Sequence, residues 1–246
     1  HLFNFLLVVC LFVVILCLFV IVLNHIVCMF VCCSAAMRLI HGDIVPNSKR
    51  NAVPCTARGC KWPKVGDHVR IPVIISSLER NFINRVLFSF HKSTCIRFRW
   101  KKPSHKDFIN FFPGSGCWSY LGRVGGEQKI SLQKNGCLYT DTVQHEVLHA
   151  LGFHHEHVRS DRDQHVRIHF ENIQEGKESN FQKVQTNNLN TPYDFESVMH
   201  YSKFAFSKNG QPTIVAKGNP NLSFGQATTM SANDIARVNK LYQCSE

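Results

Sequence analysis

Acidic residues are scarce in this chain, with 17 Asp+Glu against 28 Lys+Arg and a formal charge of +11 at pH 7. That balance suits acidic partners. No dense Lys/Arg run and no nucleic-acid-binding motif accompanies it, so a solvated basic surface is expected and nucleic acid is not an expected partner. From Leu2 to Met37 there is no Lys, Arg, Asp or Glu. Residues 1–37 are read apart from the rest, as an apolar leader. They are a secretory signal ending at Ser34-Ala35-Ala36, a membrane anchor, since about 20 apolar residues span a bilayer, or sequence foreign to the protein. No basic segment precedes the run, and it is long for a signal peptide. A membrane partner is expected only if the run is a genuine anchor. Beyond residue 38 there are no repeats and no low-complexity linkers, which excludes a solenoid or array. Nor is there a C-x-x-C among the six cysteines beyond the leader, Cys55, Cys60, Cys95, Cys117, Cys137 and Cys244. A zinc–thiolate site is therefore disfavoured, and an even set implies three disulfides whose pairing spacing alone does not choose.

What is present is His145-Glu146-Val147-Leu148-His149-Ala150-Leu151-Gly152-Phe153-His154-His155, an H-E-x-x-H-x-x-G-x-x-H pattern. On a helix, residues four apart lie one above the other, so His145 and His149 address one metal from one face. Glu146 stands beside them, within reach of a water. Gly152 supplies the left-handed turn that ends a helix, and the chain then brings His155 to the same ion. Three neutral nitrogens with one position left for water define a catalytic zinc site rather than a structural one. His154 and His157 fall off the ligand pattern and are read as surface or supporting residues.

Flanking patterns are consistent with a folded domain around this helix. Thr140 or Asp141 is the expected cap, and Val143, Val147, Leu148, Ala150 and Leu151 the buried face. Strands are expected at Val69–Ile75, with Pro72 pointing to an edge or bulge, and at Ile96–Trp100, Phe108–Phe112, Ser119–Leu121 and Lys129–Leu132. Helical spacing of Leu78, Phe82, Ile83, Val86, Leu87 and Phe90 predicts a helix from about Ser77 to Lys92. After residue 160 the pattern is largely irregular until Ser231, which caps a last helix with Asp234 three residues on. In that helix Ile235, Val238 and Leu241 face the core. Asn221-Leu222-Ser223 is the one glycosylation sequon.

The zinc motif continues as Phe153-His154-His155-Glu156-His157-Val158-Arg159-Ser160-Asp161-Arg162-Asp163, and Ser197-Val198-Met199-His200-Tyr201 follows. Together these segments resemble the astacin metallopeptidases, a branch of the metzincins, over residues 38 to 246. The stretch Asn51-Ala52-Val53-Pro54-Cys55-Thr56-Ala57-Arg58-Gly59-Cys60 resembles the mature start in the six-cysteine branch, which includes choriolysin-type hatching enzymes and nephrosin. The resemblance implies an α+β metzincin-type catalytic domain. Its N-terminal half would be a twisted mixed sheet with the active-site helix, its C-terminal half largely irregular with a terminal helix, and the cleft would lie between them. It also implies one Zn2+ held by His145, His149 and His155, with Met199 as the floor beneath it. Tyr201 would be a displaceable fifth ligand whose hydroxyl then serves catalysis, and Glu146 the general base. The implied disulfides are Cys95–Cys244, Cys117–Cys137 and Cys55–Cys60. The first closes a loop that should contribute roughly 4–5 kcal/mol in the chain-entropy model. A protein or peptide substrate would lie along the sheet edge near Cys117–Leu121 as an added antiparallel strand.

Residues 38–50 read as a short prosegment and 51–246 as the peptidase domain, with Arg50–Asn51 as the processing site. Astacin prosegments carry F-x-G-D, whose Asp blocks the open metal position. Here the matching residues are Ile40-His41-Gly42-Asp43, with Ile in place of Phe, and Asp43 would be a ligand in the latent form only. The freed N-terminus would come to lie near Glu156. The chain is thus expected to be a secreted, monomeric zinc endopeptidase made as a zymogen, with egg-envelope glycoprotein as a candidate substrate. The alternatives are a nephrosin-like protease with another substrate and a non-catalytic, zinc-stabilised binding module. Thr191–Phe195 is a candidate lining for the pocket beyond the scissile bond.

Overall fold

In His68–Ile75 (β3), Val69, Ile71, Val73 and Ile75 are buried and Arg70 is exposed, the period-two signature of a strand with one face on a core. The same logic builds Ile96–Trp100 (β4), Phe108–Phe112 (β5), Cys117–Tyr120 (β6) and Glu127–Leu132 (β7). With the short strands Ile44–Val45 (β1) and Lys64–Val65 (β2) they form one seven-stranded sheet. Its order is β1-β6-β7-β5-β3-β2, with β4 paired to β3. β3 runs parallel to β4 and β5, and β5 parallel to β7; β6 is antiparallel to β7 and parallel to β1. The computed structural model describes residues 39–46, 60–76 and 79–245. The leader 1–37, the Arg50–Asn51 cut, Cys55 and the expected helix start at Ser77 lie outside the described residues.

Two helices cover the inner face. Arg80–Ser93 (α1) buries Ile83, Val86, Leu87 and Phe90, spaced as one helical face, and Thr140–Leu151 (α2) carries the metal motif. Phe90, Ile71, Ile109, Phe111, Val143, Val147 and Leu151 are fully buried in this core. Each contributes about 1.5–3 kcal/mol over an exposed state. The C-terminal half is mostly irregular. It holds four short 3-10 turns and a two-stranded ribbon, Val166–Ile168 (β8) with Ile214–Ala216 (β9), before the helix Ala232–Tyr242 (α3). A second core, with Val166, Ile173, Phe181 and Ile214 at its centre, supports it. Cys95 is bonded to Cys244, which follows α3, and Cys117 to Cys137. Cys60 is itself disulfide-bonded. Among the described residues no helix is long and apolar enough to cross a membrane.

Two local expectations are corrected. Pro72 is not on an edge strand, since β3 has neighbours on both sides. Its register partner Arg99 lies on one side, while pairing to β5 begins only at Val73 and pairing to β2 ends at Val69. The proline therefore occupies the gap where no partner strand requires its missing N–H. At the start of α2, neither Thr140 nor Asp141 caps. The N-cap is Tyr139, with no side-chain cap bond, and Asp141 instead lies in the first turn, where a negative charge favours the helix dipole. In α3, Ser231 and Asp234 do form a reciprocal capping box.

Candidate metal and catalytic site

Helix α2 presents His145 and His149 one turn apart, and Gly152 ends it at φ 112° with its N–H on the His149 carbonyl. A residue with a Cβ is strained there. The reversal brings His155 back, so that Nε2 of His149 and of His155 lie 3.0 and 3.2 Å from Nε2 of His145. Asp43 completes the group. Its Oδ2 is 3.0 Å from His145 Nε2 and 3.1 Å from His155 Nε2, and its Oδ1 is 3.4 Å from His149 Nε2. All four donor atoms lie within 4.8 Å of one another.

The outer nitrogens settle which way the lone pairs point. His145 Nδ1–H donates to the Val198 carbonyl and His149 Nδ1–H to the Phe153 carbonyl, each at 2.7 Å. Both Nε2 atoms therefore face inward, where a cation would take their lone pairs. Burial holds His149 and His155 neutral, the latter at about 3. Burial also opposes charge on His145, but Asp43 outweighs it and lifts that pKa to about 9. For Asp43, burial is outweighed by His155, His149 and His145, which hold the carboxyl well below its usual range. Three imidazole nitrogens plus one oxygen position fit zinc.

Glu146 is 1% exposed, and its Oε2 has no hydrogen-bond partner among the described residues. Burial, and then the nearby Asp43 charge, push its pKa well above the carboxylate norm. Tyr201 is the other polar group at the site. Its hydroxyl donates to the His41 carbonyl, and its ring stacks on His157 at 3.9 Å and 25°. His157 is fully buried, with Nε2 3.0 Å from the Asn180 carbonyl, so of the two expectations, surface or supporting residue, the second holds: it is the platform beneath Tyr201. His154 is half-buried and stays outside the ligand group.

The upstream segment enters the site through a tight turn, with Ile40 and Ile44 exchanging two backbone bonds at 2.8 and 3.0 Å. Gly42 sits at φ 88°, and a Cβ there would lie 2.8 Å from the Tyr201 hydroxyl oxygen. Ile40, the residue in place of Phe, is 39% exposed; the apolar anchor is instead Ile44, at 1%. Beyond the turn, Ile44 and Val45 pair in parallel with Ser119 and Tyr120. The sheet edge expected to receive substrate in antiparallel sense is thus covered by the chain's own residues, running in the opposite sense.

Several supporting residues were not legible as such. Asp234 accepts from Ser197 Oγ at 2.6 Å and from Val198 N at 3.0 Å, so the residue read as a helix cap also holds the turn Ser197–Met199, the Met-turn below. Met199 is buried, and its carbonyl accepts from Glu156 N at 2.9 Å. Arg237, one turn along α3 from Asp234, makes a two-pronged bond to Glu156 at 2.6 and 2.9 Å. Thr191–Phe195 frames the same carboxylate: Asp194 N–H donates to Glu156, while the Thr191 and Pro192 carbonyls accept from Arg159.

Two imidazoles and a buried carboxylate on a helix packed against a mixed sheet, met by a third imidazole from the turn beyond it, define a metallopeptidase site. Comparison with known proteins specifies it further. The family model described as Astacin, a peptidase family, matches residues 56–243, and the chain belongs to that family. It is a metalloendopeptidase, acting on protein or peptide substrates. High choriolytic enzyme 1 of Oryzias latipes is 46% identical over 212 residues, covering 84% of this chain and 78% of that protein. Low choriolytic enzyme of the same fish is 44% identical over 213 residues, covering 84% and 78%. The solved structure of High choriolytic enzyme 1, a hatching enzyme zinc-protease, aligns with a TM-score of 0.75 at 45% identity. It covers 79% of this chain and 100% of that one.

Proposed function

We propose that this chain is a secreted zinc endopeptidase made as a zymogen, with egg-envelope proteins as its substrates. The observation that carries the zinc reading is the convergence of His145, His149 and His155 Nε2, with Asp43 filling the remaining position. When bound, zinc supplies Lewis acidity to the scissile carbonyl and to the attacking water. Glu146 takes the water's proton and passes it to the leaving amine. Tyr201, once released from His41, donates its hydroxyl to the developing oxyanion. Buried Met199 would form the floor of the zinc site, and the His145 and His149 Nδ1–H bonds keep the ligand rings in place.

Latency rests on three contacts of residues 41–45. Asp43 caps the metal ligands, His41 holds the Tyr201 hydroxyl, and Ile44–Val45 cover the β6 edge. Cleavage at Arg50–Asn51 would release all three, and the new N-terminus at Asn51 would come toward Glu156, beside which lies a cavity of about 70 Å³. Cys55–Cys60 would tether that new terminus. The choriolytic names of the relatives support secretion and an egg-envelope substrate.

The test is hydrolysis of casein and of isolated egg envelope by the processed chain. A chelator should abolish both activities and added zinc restore them. Glu146→Gln should retain zinc but lose about 10²–10⁴ in turnover; full activity in that variant removes the general-base role. Casein cleavage without envelope cleavage removes the substrate assignment alone.

A further inference from the structure

The sheet edge farthest from the site carries charge that the peptidase chemistry does not use. On β3 and β4 the inward residues are apolar, while the outward positions include Arg70, Arg97 and Arg99. Arg70 and Arg97 are direct register partners, and Arg99 follows two residues along β4. Neighbouring strands are about 4.8 Å apart and alternate residues about 6.6 Å, so three guanidinium stems rise from one small patch. Like charges directly opposite each other cost stability. No ion pair among the described residues involves any of the three. Lys101 extends the row, its ammonium 4.8 Å above the Phe108 ring.

Around the edge of β4, Arg99 also borders a cleft of about 200 Å³ against α1, whose walls include Phe88, His91 and Trp100. Phe88 and Trp100 are 53% and 51% exposed. The strand's free edge is closed to β-pairing: Phe98 N–H donates to His91 Nε2 at 2.8 Å and Ile96 N–H to Thr94 Oγ1 at 3.1 Å. Burial, then Arg97 and Arg99, lower His91 to about 4, so its ring remains an acceptor at neutral pH.

We propose that this face binds a sulfated glycan chain, at a site separate from the peptidase centre. The closed edge decides against an acidic peptide, which would have to order its backbone without gaining backbone hydrogen bonds. Sulfates fixed on sugar rings bring closely spaced anions to the guanidinium forks, and the Arg80 guanidinium and Lys92 ammonium, 5.3 and 5.5 Å over the Trp100 and Phe88 rings, add two cations at the rim of the cleft.

The test is titration of the full chain with heparin at increasing NaCl. Binding should be salt-sensitive, and Arg70→Glu with Arg99→Glu should weaken it by about tenfold or more. These two are chosen because Arg97 also donates to the Thr94 and Ile96 carbonyls. Lys208→Glu with Lys217→Glu changes the net charge equally on exposed residues elsewhere and should leave affinity within about twofold. Casein hydrolysis by the processed forms should be unchanged in both pairs. Should charge reversal unfold the strand, Arg70→Gln with Arg99→Gln is read in the same way. No heparin binding by the parent, equal losses in the two pairs, or equally tight binding of polyglutamate of matched charge each overturns the proposal.

Discussion

Asp234 and His145 grip opposite ends of one residue. The Asp234 carboxylate accepts the Val198 N–H at 3.0 Å, and the Val198 carbonyl accepts His145 Nδ1–H at 2.7 Å. A carboxylate on the last helix thereby fixes the orientation of a metal-ligand imidazole on the central one. Replacing such an outer partner typically costs 10- to 100-fold in metal affinity. Asp234→Ala is expected to weaken zinc retention by about that factor, read by competition with a chromogenic chelator, with far-UV circular dichroism to verify the fold. Unchanged affinity would show that the Met-turn holds its shape without α3.

Tyr201→Phe keeps the ring on His157 and removes only the hydroxyl. In the processed enzyme, kcat is expected to fall by about 10²–10³ with little change in KM. Steady-state kinetics on a peptide substrate distinguish this from a loss of binding, which would raise KM and leave kcat alone.

Asp43→Ala removes the carboxylate that faces all three histidines but leaves Ile44–Val45 on the sheet edge. A charge-assisted contact of this kind is worth about 1.5–3 kcal/mol. The uncleaved variant should therefore show about ten- to hundredfold more casein hydrolysis than the uncleaved parent. Equal activity would place latency in the strand pairing instead.

His91 accepts a backbone N–H at Nε2, which only the neutral ring can do. Its pKa of about 4 in the fold lies below the ordinary 6.5. As pH falls, the unfolded chain protonates first. The contribution is therefore full above about pH 6.5 and is lost as pH falls toward 4. His91→Gln keeps an acceptor oxygen but does not titrate. Its Tm should fall less between pH 7 and 4.5 than the parent's; parallel curves in differential scanning calorimetry would exclude the effect.

Features governed by local spacing were legible in the sequence. Ile96–Trp100 alternates apolar and basic residues, and the approach of His145, His149 and His155 follows from helical geometry and one glycine. Features decided by distant partners were not. Pro72 looked like an edge or bulge residue because its surroundings are set by registers with three strands, of which β4 and β5 come more than twenty residues later. His157 stood open between a surface and a supporting place because the ring that covers it, Tyr201, belongs to the second core. Asp234 looked like a cap and is one, but a capping box in sequence carries no sign of the 36-residue reach to Val198.

The Cys95–Cys244 bond has a further consequence for a proteolytic protein. The bond spans a sequence separation of 149, and that span contains every histidine of the metal group, Glu146 and Tyr201. A single self-inflicted nick in a surface loop there would leave both fragments joined through sulfur, with the cut ends held near one another. An enzyme working in its own company is in this way protected against falling apart after one wrong cut.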